Sequence, residues 1–280
     1  MLSYRHGFHA GNFADVFKHA VVSLLLQALL KKDKPFVYLD THSGSGQYYL
    51  KSGLARKNRE HEGGIGRLWQ ARDVPAPLGP YLAAVRSFNR DDKLNYYPGS
   101  PRLAQHFLRP CDRMELCELH SSEVPELKSL FQGDRRVHVH HMDGYQGLKA
   151  LLPPKERRGL VLCDPAYELK DERRTLLAAI TDAWRRWPTG VYAIWYPILD
   201  GPQTEWLQRQ FRRSGIQKIL ACDLRIYSED FPDRLNGSGM IIINPPWQTD
   251  TQMETLGPWL QSLLSHQGEG SYRQEWLATE

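Results

Sequence analysis

The 280-residue sequence predicts an α/β fold: a doubly wound, mostly parallel sheet with an antiparallel last strand and a small helical insertion. Three observations carry that expectation. Short β-rich apolar runs recur at residues 36–39, 113–119, 136–142, 159–164, 191–197, 216–226 and 239–244. Helical patterns separate most of them, as in "RLAQHFLR" and "RRTLLAAITDAWRRW", and such alternation pairs strands in parallel through right-handed crossovers. The last two runs are joined instead by "YSEDFPDRLNGSG", polar and glycine-rich, which calls for a hairpin.

The first element is a helix. Phe13, Val16, Phe17, Ala20, Val21, Leu24 and Ala28 recur at i, i+3, i+4 spacing, Asn12 stands at the N-cap position, and Asp33-Lys34-Pro35 ends the pattern. Phe36 to Leu39 then read as a short strand buried on both faces. Between Gly46 and the run at Met114 the chain is far longer than one loop and one helix require. The excess, about residues 51–97, contains "GGIG", "PAPLGP" and a helical "YLAAVRSF", and reads as an inserted helical subdomain within a single domain spanning 1–280, whose arm and first helix cover 1–32.

An apolar fraction of 41% and a charged fraction of 24% are those of an ordinary folded protein, and disorder and fibrous classes are excluded. The net charge of +4 suits an anionic partner without specifying one. Basic residues bunch in "KKDK", "KSGLARKNR", "PKERR" and several Arg pairs. The four cysteines show no C-x-x-C spacing, and two sit in hydrophobic runs, so free thiols and a cytoplasmic location are expected. No leader-like segment and no run of about 18 consecutive apolar residues stands out, so no membrane association is expected. His6, His9 and His19 follow no zinc spacing, and no metal is expected.

"LDTHSGSG" places Asp40 at a strand end, followed by His42, Gly44 and Gly46. The glycines let the backbone approach a ligand. A dinucleotide fingerprint wants a small residue three past the second glycine, where Tyr49 stands, and a P-loop wants the Lys and Ser/Thr that are absent. S-adenosylmethionine lacks a pyrophosphate and suits D-x-x-x-G-x-G. Glu118, closing the second strand, is placed to accept from both ribose hydroxyls, and Asp143 with Gly144, closing the third, to receive the adenine. Ser100, in "YPGSP", and His42 are candidates for the methionyl end.

"VLCDPAY" ends the fourth strand with Asp164-Pro165-Ala166-Tyr167 and resembles the (D/N)-P-P-(Y/F) motif of methyltransferases acting on exocyclic amino groups of nucleobases. The chemistry explains the residue types. The adenine N6 lone pair is delocalised into the ring, so its N–H bonds must be held by two acceptors, the Asp164 carboxylate and the Pro165 carbonyl, with Asp164 taking the proton. Tyr167 is expected to stack on the base. Ala166 departs from the motif, removing a φ constraint but no functional group. The helix carrying Lys18 and His19 is expected to lie beside the glycine turn, with Tyr4, Arg5 and His6 as an arm able to close over substrate.

Together "LSYRHGFHAGNFADVFKH", "YLDTHSGSGQY", "YPGSP", "CELH", "MDGY", "DPAYE" and "LNGSGMIIINPPW" resemble the bacterial 23S ribosomal RNA (adenine-N6)-methyltransferase J family over essentially the whole chain. The resemblance implies a class I, Rossmann-like S-adenosylmethionine-dependent methyltransferase acting on N6 of one adenine in the peptidyl-transferase region of 23S ribosomal RNA. It also implies that His19, His42, Gly44, Ser100, Glu118, Asp143, Gly144 and Asp164 contact the cofactor. Asp164, with Pro165 and Tyr167, is then catalytic, and Tyr4, His6, Lys18 and Tyr167 meet the substrate. A monomer is expected, since no exposed apolar stripe marks an obligate dimer. Two alternatives stay open: the same chemistry on DNA adenine, although no separate target-recognition domain is visible, and a non-catalytic factor that binds ribosomal RNA during assembly.

Overall fold

The computed structural model describes residues 6–199, 201–228 and 235–279. The strands are β1 (Val37–Asp40), β2 (Gln47–Tyr49), β3 (Tyr96–Pro98), β4 (Arg113–Glu118), β5 (Val137–His141), β6 (Gly159–Cys163), β7 (Val191–Ile198), β8 (Ile219–Arg225), β9 (Gly237–Ile243) and β10 (Ser271–Ala278). Eight form one sheet in the order β10-β8-β9-β7-β6-β1-β4-β5. The block from β7 to β5 is parallel, and β9 runs antiparallel between β7 and β8. Every residue of β1, β6 and β9 is buried, as expected of strands covered on both faces.

Helices cover each face and define two cores. Helix α1 (Phe13–Leu30) and the helices Ser100–Phe107 and Thr249–Leu264 build one around Phe17, Leu25, Tyr38 and Ile242. The helices Gly144–Leu151, Glu172–Arg186 and Gly201–Arg213 build the other around Leu148, Ile180, Tyr192 and Phe211. The expected doubly wound α/β architecture is therefore present, with the expected β8–β9 hairpin.

Two features depart from the sequence expectation. The sheet carries a second antiparallel strand at its edge, β10 against β8. Its sequence, "SYRQEWLA", is mostly polar because an edge strand need not bury both faces, so hydrophobic patterning does not signal it. Helix α1, with a mean hydropathy of 1.5, is by length and composition apolar enough to cross a membrane, although 78% of it is buried within this protein as a core helix. Interspersed Lys18, His19 and Ser23 hide that property from a search for uninterrupted apolar runs.

Helix α1 begins where expected: the Asn12 side chain accepts the Asp15 N–H at 3.0 Å. Residues 51–97 fold into short helices whose apolar residues, Ile65, Leu68, Tyr81 and Val85, join the α1 core. The antiparallel pair β2–β3, with Tyr48 opposite Tyr97, brings the ends of this insertion together beside the glycine turn.

Candidate functional site

The C-terminal ends of β1, β4 and β6 and the N-terminal half of α1 enclose a cavity of ≈ 600 Å³. Such crevices at strand ends are where open α/β sheets bind ligands. The site residues expected from the sequence that line it are His6, Lys18, His19, His42, Gly44, Ser100, Glu118, Asp143, Gly144, Asp164 and Pro165. Tyr4 lies outside the described residues.

One end of the cavity is a chain of charges. The Lys18 ammonium donates to Asp164 Oδ2 at 2.5 Å and lies 2.8 Å from Asp15 Oδ1. Asp15 Oδ2 accepts from the Gly11 N–H at 2.9 Å and meets His6 Nε2 at 2.8 Å. Burial alone would discharge both Asp15 and Lys18. The charges of His6 and Lys18 outweigh it and hold the Asp15 carboxyl well below its usual range, and Asp15 with Asp164 holds the Lys18 pKa above its own. The Lys18 cation is therefore permanent, and it fixes one oxygen of Asp164 while leaving the other open to the cavity. Asp15 is a site residue that the sequence-based reading did not include. It sits one turn before Lys18 on the same helix face, and that spacing is the signal that could have found it.

His19 lies deeper. Its ring stacks on Tyr97, with Nδ1 2.7 Å from the Tyr97 hydroxyl, and burial pushes its pKa down to about 3, so the imidazole is neutral. This has a measurable consequence for stability. Below pH 6.5 the unfolded chain takes up a proton that the native chain refuses down to about pH 3, so His19 costs stability as pH falls through that window. His19→Gln should remove that cost, losing about 2 kcal/mol less than the unsubstituted protein between pH 7 and pH 5 in paired denaturant titrations. An equal loss in both proteins would contradict a neutral buried His19.

The other end of the cavity is built from backbone. Gly44 and Gly46 adopt φ of +58° and +82°, and a Cβ on Gly44 would lie 2.5 Å from the Tyr48 hydroxyl. Glu118 accepts the Gly44 N–H on Oε2 at 2.7 Å and the His120 N–H on Oε1 at 2.6 Å. Two of its roughly four acceptor positions stay free for a diol. Asp143 caps the helix Gly144–Leu151, Oδ1 accepting from the Gln146 N–H at 2.9 Å. Asp40 lies beneath the turn, bonded to the Tyr38 hydroxyl and the His42 N–H, and burial pushes its carboxyl up to about 6.

Gly144 has a tighter requirement than ligand clearance. A Cβ there would lie 2.1 Å from the Thr41 carbonyl oxygen, a backbone atom that cannot swing away. Gly144→Ala is expected to lower stability by about 1–3 kcal/mol and to weaken S-adenosylmethionine binding roughly tenfold, read by thermal unfolding and equilibrium dialysis. Unchanged values in both would show that the β1 and β5 ends tolerate separation.

Tyr167 is not where the sequence led one to expect it. It adopts φ +55°, donates its hydroxyl to the Trp195 carbonyl at 2.7 Å, meets the Trp195 ring edge-on at 5.8 Å, and does not line the cavity. Trp195 does line it, with the Lys18 ammonium 5.8 Å from its ring centroid. The aromatic surface beside Asp164 is thus supplied by β7 and braced by Tyr167. Sequence patterning reads Trp195 only as a strand residue in an apolar run.

The cavity's charge discriminates between ligands. Among the described residues, seven carboxylates line it (Asp15, Glu118, Glu123, Asp143, Asp164, Glu168 and Glu172) against two lysines, Lys18 and Lys149. Such a lining attracts a cation and disfavours a pyrophosphate. A sulfonium cofactor with a free ribose diol fits both the charge and the Glu118 acceptor. Among the described residues, no group of three or more His, Cys, Asp or Glu side chains is arranged to hold a metal ion.

Comparison with known proteins gives a consistent picture. Residues 33–278 match the family model RsmJ, described as "Ribosomal RNA large subunit methyltransferase D, RlmJ". Proteins named ribosomal RNA large subunit methyltransferase J from Escherichia coli K12 and from Haemophilus influenzae are each 46% identical, over the full length of both chains. A crystal structure of protein LPL1258 from Legionella pneumophila superposes with a TM-score of 0.89 at 38% identity, covering 96% of this chain and 98% of that one.

Proposed function

The chain belongs to the RsmJ family of ribosomal RNA large subunit methyltransferases, and from that membership and the site we propose that it methylates N6 of one adenine in 23S ribosomal RNA. The cofactor is S-adenosylmethionine, which supplies an electrophilic methyl group on a sulfonium. The observation that carries the reading is Asp164, held by a buried ammonium in the wall of a cavity rich in carboxylates.

The residues divide the work. Glu118 is suited to hold the ribose hydroxyls and Asp143 the adenine amino group, with Gly44 and Gly144 keeping the backbone close. His19, His42 and Ser100 line the remaining wall toward Asp164. The open oxygen of Asp164 and the Pro165 carbonyl are the two acceptors for the target N6 amino group, directing its lone pair into the cavity. As positive charge develops on N6, Asp164 stabilises it and accepts the proton. Lys18 orients Asp164, and His6 is linked to that pair through Asp15. Trp195, rather than Tyr167, is suited to stack on the base, and Tyr4 lies outside the described residues. A monomer acting in the cytoplasm, without a membrane partner, accords with this reading.

The test is methyl transfer from labelled S-adenosylmethionine to unmodified, protein-free 23S ribosomal RNA, followed by digestion to nucleosides and mapping of the labelled position. N6-methyladenosine is expected. Label on duplex DNA alone, or cofactor binding without transfer to naked RNA or to ribosomal particles, would overturn the reading.

A further inference from the structure

At the opposite end of the sheet lies a second hollow, of ≈ 830 Å³, beneath the N-terminal ends of β6, β1, β4 and β5. Among the described residues, eight basic side chains line it against two acidic ones, Asp112 and Glu156. Ion pairs consume the local acids: Asp112 pairs with Arg109 at 2.8 Å, Asp134 with Arg136 at 2.7 Å, and Glu115 and Glu156 with Arg113. A surplus remains around them. Lys32, Lys34, Arg135, Lys155 and Arg157 are exposed and make no ion pair among the described residues.

Like charges are crowded here. Burial and the neighbouring Arg109 lower the Arg158 pKa, and burial, Arg113 and Lys155 lower that of His138. These five exposed cations form no ion pair among the described residues, and an anion bound there would relieve their mutual repulsion. The hollow underlies four adjacent strands, roughly 14 Å at about 4.8 Å per strand, which is wider than a single phosphate group. An edge strand runs from it toward the catalytic end. Strand β5 is the sheet edge, no residue of it is buried, and its five residues span about 17 Å between Arg136 on the hollow side and the Met142–Asp143 link on the cavity side.

We propose that this hollow is a docking surface for the phosphate backbone of a second segment of the ribosomal RNA, remote from the target nucleotide. The proposal rests on the reading above that ribosomal RNA is the substrate. The acidic cavity admits a neutral base but repels phosphates, so the electrostatic hold on the polymer must come from elsewhere on the surface.

The test uses the full-length protein carrying Arg135→Ala, Lys155→Ala and Arg157→Ala together, three exposed positions whose loss leaves the ion pairs beneath intact. Methyl transfer is measured across a salt series on intact 23S ribosomal RNA and on the shortest fragment around the mapped adenine. On intact RNA the KM should rise roughly tenfold or more and the log–log salt slope should fall by about 2 to 3, at about 0.7–0.9 for each phosphate that is no longer neutralised. On the short fragment kcat and KM should be unchanged, as should cofactor binding and the melting temperature. An unchanged KM and slope on intact RNA would overturn the proposal, and so would an equal loss on both substrates, which would assign the effect to the catalytic end. If the unsubstituted protein labels neither RNA, the proposed function fails and the docking surface with it; an active unsubstituted protein beside an unaffected triple variant sinks the docking surface alone.

Discussion

Asp164→Ala is expected to lower methyl transfer at least 10³-fold while leaving RNA binding and folding nearly intact. The substitution removes both the acceptor that aims the N6 lone pair and the group that takes its proton, effects that separately amount to about 10²–10⁴-fold. Folding is spared because Lys18 keeps Asp15 at 2.8 Å, so no buried ammonium is left alone. Single-turnover transfer from labelled cofactor, beside filter binding of RNA and a melting curve, separates these quantities. Residual activity within tenfold of the unsubstituted enzyme would show that Asp164 is not the proton acceptor. Cellular function surviving a complete loss of transfer would favour the assembly-factor alternative.

Lys18→Ala is expected to damage both folding and catalysis. The ammonium is 5% exposed between two carboxylates, and removing one partner of such a buried pair typically costs about 3–5 kcal/mol because the remaining charge has lost its counter-ion. Asp15 keeps His6 and the Gly11 N–H, so the bared group is Asp164, which lines the cavity. The rate should fall as well, since Asp164 loses the ammonium that orients it. Lys18→Arg should restore stability better than rate, since a planar guanidinium keeps the charge but not the point contact. A loss of stability with kcat and KM unchanged in the protein that remains folded would show that Lys18 acts only through packing.

Much of this molecule was legible in its sequence because the relevant signals are local. Asn12, the periodic α1 face and the buried runs of β1, β6 and β9 are consequences of capping and two-sided burial, and each appears in a window of a few residues. The residues of the glycine turn and of "DPAY" are read from what their chemistry needs. What escaped depends on contacts between distant segments. β10 is an edge strand recognisable only by its partner β8, and the inward turn of Tyr167 is set by the Trp195 carbonyl 28 residues away. The ion pair between Lys18 and Asp164 joins residues 146 apart, so the sequence showed both groups and not the bond between them.

The burial of α1 reaches beyond its role in holding Lys18 and His19. Those two side chains sit on a helix that the rest of the molecule encloses over 78% of its length, so their backbone amides should exchange with deuterium only when the whole chain opens. The cofactor pocket and the global fold are then one cooperative unit on that side. Ligand binding there registers as a rise in overall melting temperature, and a substitution cannot loosen this wall of the site without lowering the stability of the entire protein.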